Sequence, residues 1–185
     1  MTTYRDPGSL LILGLGNVLC GDDGLGIAAV ELLRQQHEIP IGVRVVDGGT
    51  LGLALLSQFE ATDDVVLVDA VQTDGQPGSF VRLEGDDVGP AVRSRLSCHQ
   101  VGVADLLDAL RWLGSYPRRV VLLGLVPESL DVRVARSAAV ERQMPRLVQG
   151  IVEEADRMGY GPFPDTDGAT VPLGRRGPAA RALGL

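Results

Sequence analysis

The sequence predicts an α/β fold: a three-layer sandwich with a mostly parallel, twisted sheet of about five strands and helices on both faces. Two observations carry this. "SLLILGLG" (9–16), "DDVVLVDA" (63–70) and "RRVVLLGLVP" (118–127) are short, continuous apolar runs, as in strands covered on both sides. Between them, apolar residues return at helical spacing.

After the first strand, Leu25, Ala28, Ala29, Leu32 and Leu33 share one helix face. "VRVVDGG" (43–49) is the next strand, and Thr50 is expected to cap a short helix running through Phe59. "SFVRLEGDD" (79–87) alternates apolar and polar residues, the pattern of an antiparallel edge strand. Ser97 followed by Gln100 fits a capping box opening a helix with Val103, Leu106, Leu107 and Leu110 on one face. The final helix is expected to begin near Pro145, since proline suits a first turn. Residues 1–160 then form a single domain, and residues 161–185, rich in Pro, Gly and Arg, a flexible tail.

Composition narrows the function. With 45% hydrophobic residues in 185, one domain with a sizeable core is expected. The 17 basic residues, all Arg, against 24 acidic ones give a net charge of −7, which disfavours nucleic acid and anionic membranes as partners. No signal-like leader and no apolar run of membrane-spanning length occurs, so a cytoplasmic monomer with reduced cysteines is expected.

The stretch "GLGNVLCGDDGLG" (14–26) looks like a dinucleotide-binding turn, but Leu19 occupies the place of the third glycine. Asp22 and Asp23 stand where a phosphate would lie, and like charges repel, so the loop suits a cation. In open parallel sheets the ligand site lies beyond the carboxyl ends of the strands, where strand order reverses. Asp23 follows the first strand there, and Asp69 closes the third. His99 falls in the first turn of a helix, whose positive end keeps an imidazole neutral and able to coordinate. Two carboxylates and an imidazole suit a divalent ion of intermediate softness such as zinc or nickel.

Each residue also has a plainer reading: Asp22 and Asp23 as a helix cap, His99 as a hydrogen-bonded ring, and Asp69 as an acceptor for loop amides. Placement of all three on one rim favours a site. Cys20 and Cys98 read as small buried residues, and His37 as an exposed residue at the end of the first helix. No serine stands in a nucleophile elbow, and neither cysteine has a defensible His-Asp arrangement. A phospho-receiver-like module would share the acidic geometry but needs a lysine after the last strand, where "GLVPES" stands. A nucleotide-binding α/β module would use Asp47 on the ribose, and Leu19 weakens it.

The segments "ILGLGNVLCGDDGLG", "VVDGGTLGLALL", "VVLVDAV", "SCHQVGVADLLDALRWLG" and "LLGLVPESL" occur in order over roughly residues 10–155, and together they resemble the hydrogenase maturation proteases. The resemblance implies a phosphorylase/hydrolase-like fold. It also implies an endopeptidase that removes the C-terminal extension of a [NiFe] hydrogenase large-subunit precursor once nickel is inserted. Asp23, Asp69 and His99 are then the metal-site and catalytic residues; the family carries Glu or Asp at the first position. Gly48, Gly49 and Thr50 are assigned to the substrate. Nickel would be recognised in the substrate, while zinc or cadmium would occupy the site in isolated protein. Two mechanisms stay open: the ion polarises the carbonyl or lowers its water's pKa to about 7, or it only positions the substrate while Asp23 or Asp69 handles the water.

Overall fold

Strand β1 (Leu10–Leu15) is buried at every residue, as is β3 (Asp64–Ala70), because helices cover both sides of the sheet here. The computed structural model describes residues 8–93 and 98–166, without the side chains of 93–101. Strands β2 (Val43–Gly49), β1, β3 and β5 (Arg119–Leu125) run parallel. β4 (Phe80–Glu84) pairs antiparallel with β5 at the edge, giving the order β2-β1-β3-β5-β4. The chain steps from β1 outward to β2, then returns to the far side of β1 as β3. Strand order therefore reverses between β1 and β3, as the ligand-site rule requires.

Alternation along the strands divides the core in two. Leu10, Ile12, Val66, Val68 and Ala70 pack under helices α1 (Leu25–Gln36) and α4 (Ala138–Met158). Leu11, Leu13, Leu15, Val65 and Leu67 face the other layer. That layer holds the 3-10 helix Gly52–Phe59, α2 (Val88–Arg93) and α3 (Cys98–Trp112). Among the described residues, no helix is long and apolar enough to cross a membrane.

Four expectations are corrected. Leu51, not Thr50, stands at the N-cap before Gly52–Phe59, with no side-chain cap. Packing sets this start: Gly52, at φ +51°, lies so close to α3 that a Cβ would come 2.9 Å from the Gly102 Cα. Helix α4 begins at Ala138, capped by Ser137, whose hydroxyl accepts the Val140 N–H at 3.2 Å. Pro145 therefore lies inside this helix, on its solvent face, where water can reach the carbonyl that loses its donor.

The remaining corrections concern the C-terminal segment. Tyr160 and Phe163 are buried in the core under α1 and α4. The Glu38 N–H donates to the Pro164 carbonyl at 2.8 Å, and the Thr166 N–H to the Gln36 carbonyl at 2.9 Å. Residues 160–166 are thus part of the body rather than a tail; residues 167–185 lie outside the described residues. His37, expected to be exposed, has only 13% of its side chain exposed, with Nδ1 3.2 Å from Asp165 Oδ1 and 3.2 Å from the Phe163 carbonyl.

Candidate active site

The glycines of the 14–26 stretch let the chain touch itself. Gly16 has φ +123°, and a Cβ there would lie 1.8 Å from the Asp23 carbonyl oxygen. A Cβ on Gly26, in the first turn of α1, would lie 2.1 Å from the Val68 carbonyl and 2.5 Å from that of Leu15. The loop is folded down onto the ends of β1 and β3, with the 3-10 turn Gly21–Gly24 packed against β3. This contact brings Gly26, three residues after Asp23, onto Val68, the residue that precedes Asp69.

The acidic doublet divides its work. Asp22 is fully buried and accepts the N–H groups of Ser137 at 2.6 Å, Glu128 at 2.8 Å and Ser129 at 3.3 Å. Burial by itself would raise its pKa, but these donors outweigh burial and hold the carboxyl below its ordinary range. Asp22 thus clamps the 14–26 loop to residues 128–137. The sequence placed it beside the ligand and missed this role; its partners are more than a hundred positions away.

Asp23 is 2% exposed and accepts the Asn17 N–H at 2.9 Å. Asp69 is 1% exposed, with Oδ1 accepting the Ala70 N–H at 2.7 Å. By alternation Asp69 shares the sheet face of Val65 and Leu67, the face covered by α3. Opposite it on β5 is Gly124, where a Cβ would meet the Asp69 carbonyl at 2.0 Å, so only glycine fits beside Asp69.

His99 belongs to α3, which begins at Cys98, but its side chain lies outside the described residues, as does that of Cys98. The backbone places position 99 three residues before Gly102, which touches Gly52. The first turn of α3 therefore stands at the carboxyl edge of the sheet, beside the end of β2. Gly48 is buried against Leu13, Gly49 donates its N–H to Asp47 Oδ1 at 3.0 Å, and Thr50 is exposed. The Gly16 N–H donates to the Gly49 carbonyl at 3.1 Å, so the end of β2 is tied to the loop that carries Asp23. No group of three or more His, Cys, Asp or Glu side chains suited to a metal ion occurs among the described residues, which exclude the His99 side chain. Cys20, read as a buried residue, is a half-buried free thiol.

Another charged cluster went unread. Asp64, fully buried, accepts from Arg118 at 2.7 Å, Arg119 at 2.6 Å and the Tyr160 hydroxyl at 2.8 Å. It lies at the opposite, amino edge of the sheet, where Asp64 and Arg119 are register partners. The signal was present as an acidic doublet opening one strand run and a basic doublet opening another.

Residues 27–154 match the family model for hydrogenase maturation proteases. Hydrogenase 2 maturation protease of Escherichia coli is 33% identical over 156 residues, which cover 84% of this chain and 95% of that protein. The chain belongs to the hydrogenase maturation protease family. The hydrogenase expression/formation protein HupD of Rhodobacter capsulatus is 36% identical over 168 residues, covering 89% of this chain and 78% of HupD. The solved structure of the hydrogenase maturating endopeptidase HybD from E. coli superposes with a TM-score of 0.79 at 31% identity, covering 85% of this chain and 96% of HybD. As a hydrogenase maturation endopeptidase this protein is a hydrolase, and the phospho-receiver and nucleotide-binding alternatives fall. Local geometry agrees: the glycines serve chain packing, and Asp22 is committed to backbone donors.

Proposed function

We propose that this endopeptidase removes the C-terminal extension of a [NiFe] hydrogenase large-subunit precursor after nickel insertion, with Asp23, Asp69 and His99 recognising nickel held in the precursor. The observation that carries the reading is the placement of two buried carboxylates, Asp23 and Asp69, at the strand-order reversal, with the first turn of α3 at the same edge. Two carboxylates and one imidazole leave coordination positions for the precursor's own ligands and suit a divalent ion of intermediate softness. The same donors would accept zinc or cadmium in isolated protein. Gly48, Gly49 and Thr50 border the crevice on the β2 side, where the precursor chain would pass.

For hydrolysis, a carboxylate at this rim takes a proton from the water attacking the scissile carbonyl and returns it to the amine that leaves as the C–N bond breaks. Either Asp23 or Asp69 serves, through the carboxylate oxygen that does not hold the cation. Two buried carboxylates at one edge of the sheet repel, so a cation arriving with the substrate stabilises the pair, and a nickel-free precursor lacks that gain. The test is in vitro cleavage of nickel-loaded and nickel-free precursor. The loaded precursor should be cut and the nickel-free one should not. Asp69→Asn and His99→Ala should each lower the rate at least about a hundredfold without loss of folding. Equal cleavage of both precursor forms would sink nickel recognition, and near wild-type cleavage by either variant would sink the site.

A further inference from the structure

Asp23 and Asp69 stand on different segments, so their spacing depends on what joins the 14–26 loop to the sheet. Asp23 accepts the Asn17 N–H at 2.9 Å and donates its own N–H to the Cys20 carbonyl at 3.1 Å, and these two bonds shape the loop from within. Asp22 supplies a fixed point one residue away. Fully buried, it accepts the N–H groups of Ser137 at 2.6 Å, Glu128 at 2.8 Å and Ser129 at 3.3 Å. Glu128 stands three residues past Leu125, the end of β5. At that end the Val71 N–H donates to the Leu125 carbonyl at 2.9 Å, and Asp69 is the register partner of Gly124. A short route of backbone and hydrogen bonds therefore runs from Asp69 through Val71, Leu125 and Glu128 to Asp22, and so to Asp23.

The residue type suits this place. A carboxylate offers two acceptor oxygens, here one to Ser137 and one to Glu128 and Ser129, whereas an amide of the same shape keeps one and turns its NH2 toward an N–H donor. Ser137 also caps α4, so the Asp22 carboxylate lies at the positive end of that helix. Main-chain bonds join the same two segments: the Arg133 N–H donates to the Leu19 carbonyl at 2.9 Å, and the Gly21 N–H to the Arg133 carbonyl at 2.6 Å. Loss of the side-chain bonds would therefore shift the joint without undoing it. We propose that Asp22 is a positioning residue for the peptidase reaction, whose three bonds set Asp23 at the spacing from Asp69 that the cation and the attacking water require. Being buried, Asp22 does not reach the substrate and acts through Asp23. The inference rests on the proposal that Asp23 and Asp69 form the site.

The test measures kcat and KM for nickel-loaded precursor in Asp22→Asn, Asp69→Asn and Asp64→Asn, at a temperature where melting curves show each to be folded. Asp64→Asn makes the same exchange at a buried carboxylate on the opposite edge of the sheet, and so reports what lost stability does by itself. Asp22→Asn should lower kcat about tenfold or more and leave KM within about twofold, since a small misplacement of a reacting group slows the chemical step. Asp64→Asn should leave both unchanged. Wild-type kcat in Asp22→Asn, an equal loss in Asp64→Asn, or a loss carried by KM overturns the positioning role. Should Asp22→Asn not fold, Ser137→Ala and Ser137→Pro decide. Both lack the capping hydroxyl, proline fits the Ser137 φ of −65°, and only proline removes the N–H that Asp22 accepts. The proline variant should have a kcat at least about threefold below that of the alanine variant, and equal values overturn the role. An Asp69→Asn enzyme that cleaves at the wild-type rate sinks the site reading itself, whereas an inactive Asp69→Asn beside a fully active Asp22→Asn sinks only the positioning role.

Discussion

Gly16 is the residue on which the crevice turns, because two independent restraints act on it. Its φ of +123° is a conformation that side-chain-bearing residues rarely adopt, and a Cβ would sit 1.8 Å from the Asp23 carbonyl. Gly16→Ala should therefore cost about 3 kcal/mol or more, combining backbone strain with overpacking. The shift must push Asp23 away from the end of β1, so cleavage should fall even at temperatures where the variant is fully folded. Urea denaturation alongside a cleavage assay checks this, and a variant of normal stability and activity would show that the loop can move aside. Neighbouring carboxylates meet different fates at this scale: Asp22 accepts three main-chain N–H groups from residues 128–137, while Asp23 accepts the Asn17 N–H within its own loop.

At the scale of elements, α4 shows how a side chain's meaning depends on the face it occupies. The helix runs from Ala138 to Met158, and its buried stripe of Met144, Leu147, Val148 and Ile151 sits in the core against β3, β5 and α1. Pro145 falls between two of these positions, on the exposed side, so its ring meets solvent instead of the sheet. The missing N–H leaves the Glu141 carbonyl without an intrahelical donor. Pro145→Ala should restore that bond and stabilise the protein by about 1–3 kcal/mol, read as a higher melting temperature with unchanged cleavage. A lower melting temperature would mean that the proline ring makes a packing contact the helix needs. The Ser137 cap belongs to the same element: its hydroxyl opens α4 while its main-chain N–H serves Asp22, so one residue starts a helix and closes the crevice loop.

Across the whole molecule, buried carboxylates hold the layers together. Asp64 joins the starts of β3 and β5 to Tyr160, Glu154 joins α4 to Arg82 on β4 and to Arg157, and Asp22 joins the crevice loop to 128–137. Burial would raise all three pKa values, but the guanidiniums around Asp64 and Glu154 and the N–H groups around Asp22 outweigh it and hold each carboxyl below its ordinary range. The Tyr160 hydroxyl, buried and bonded to Asp64, is pushed up to about 12. Since the folded-state values of the three carboxyls lie below the unfolded ones, their stabilisation is complete above the ordinary carboxylate range. It is lost as pH falls through and below about 4. Urea midpoints measured downward from neutral pH should therefore drop steeply in acid. Asp64→Asn should lower the neutral-pH midpoint and flatten the acid slope; an unchanged slope would show that the Asp64 cluster contributes no linkage.

The sequence by itself determined the five strands, their parallel and antiparallel sense, and the carboxyl-edge placement of Asp23 and Asp69. These follow from local signals: continuous or alternating burial along a few residues, and the rule that chain reversal in a parallel sheet opens a crevice. Tertiary structure alone decided the rest. The start of α4 depended on which way Pro145 faces, and the docking of 160–166 on Phe163 finding space under α1 and α4. The separation of Asp22 from Asp23 depended on N–H groups contributed by residues 128, 129 and 137. Each of these is a contact between segments distant in the chain, and spacing within one segment carries no record of what folds against it.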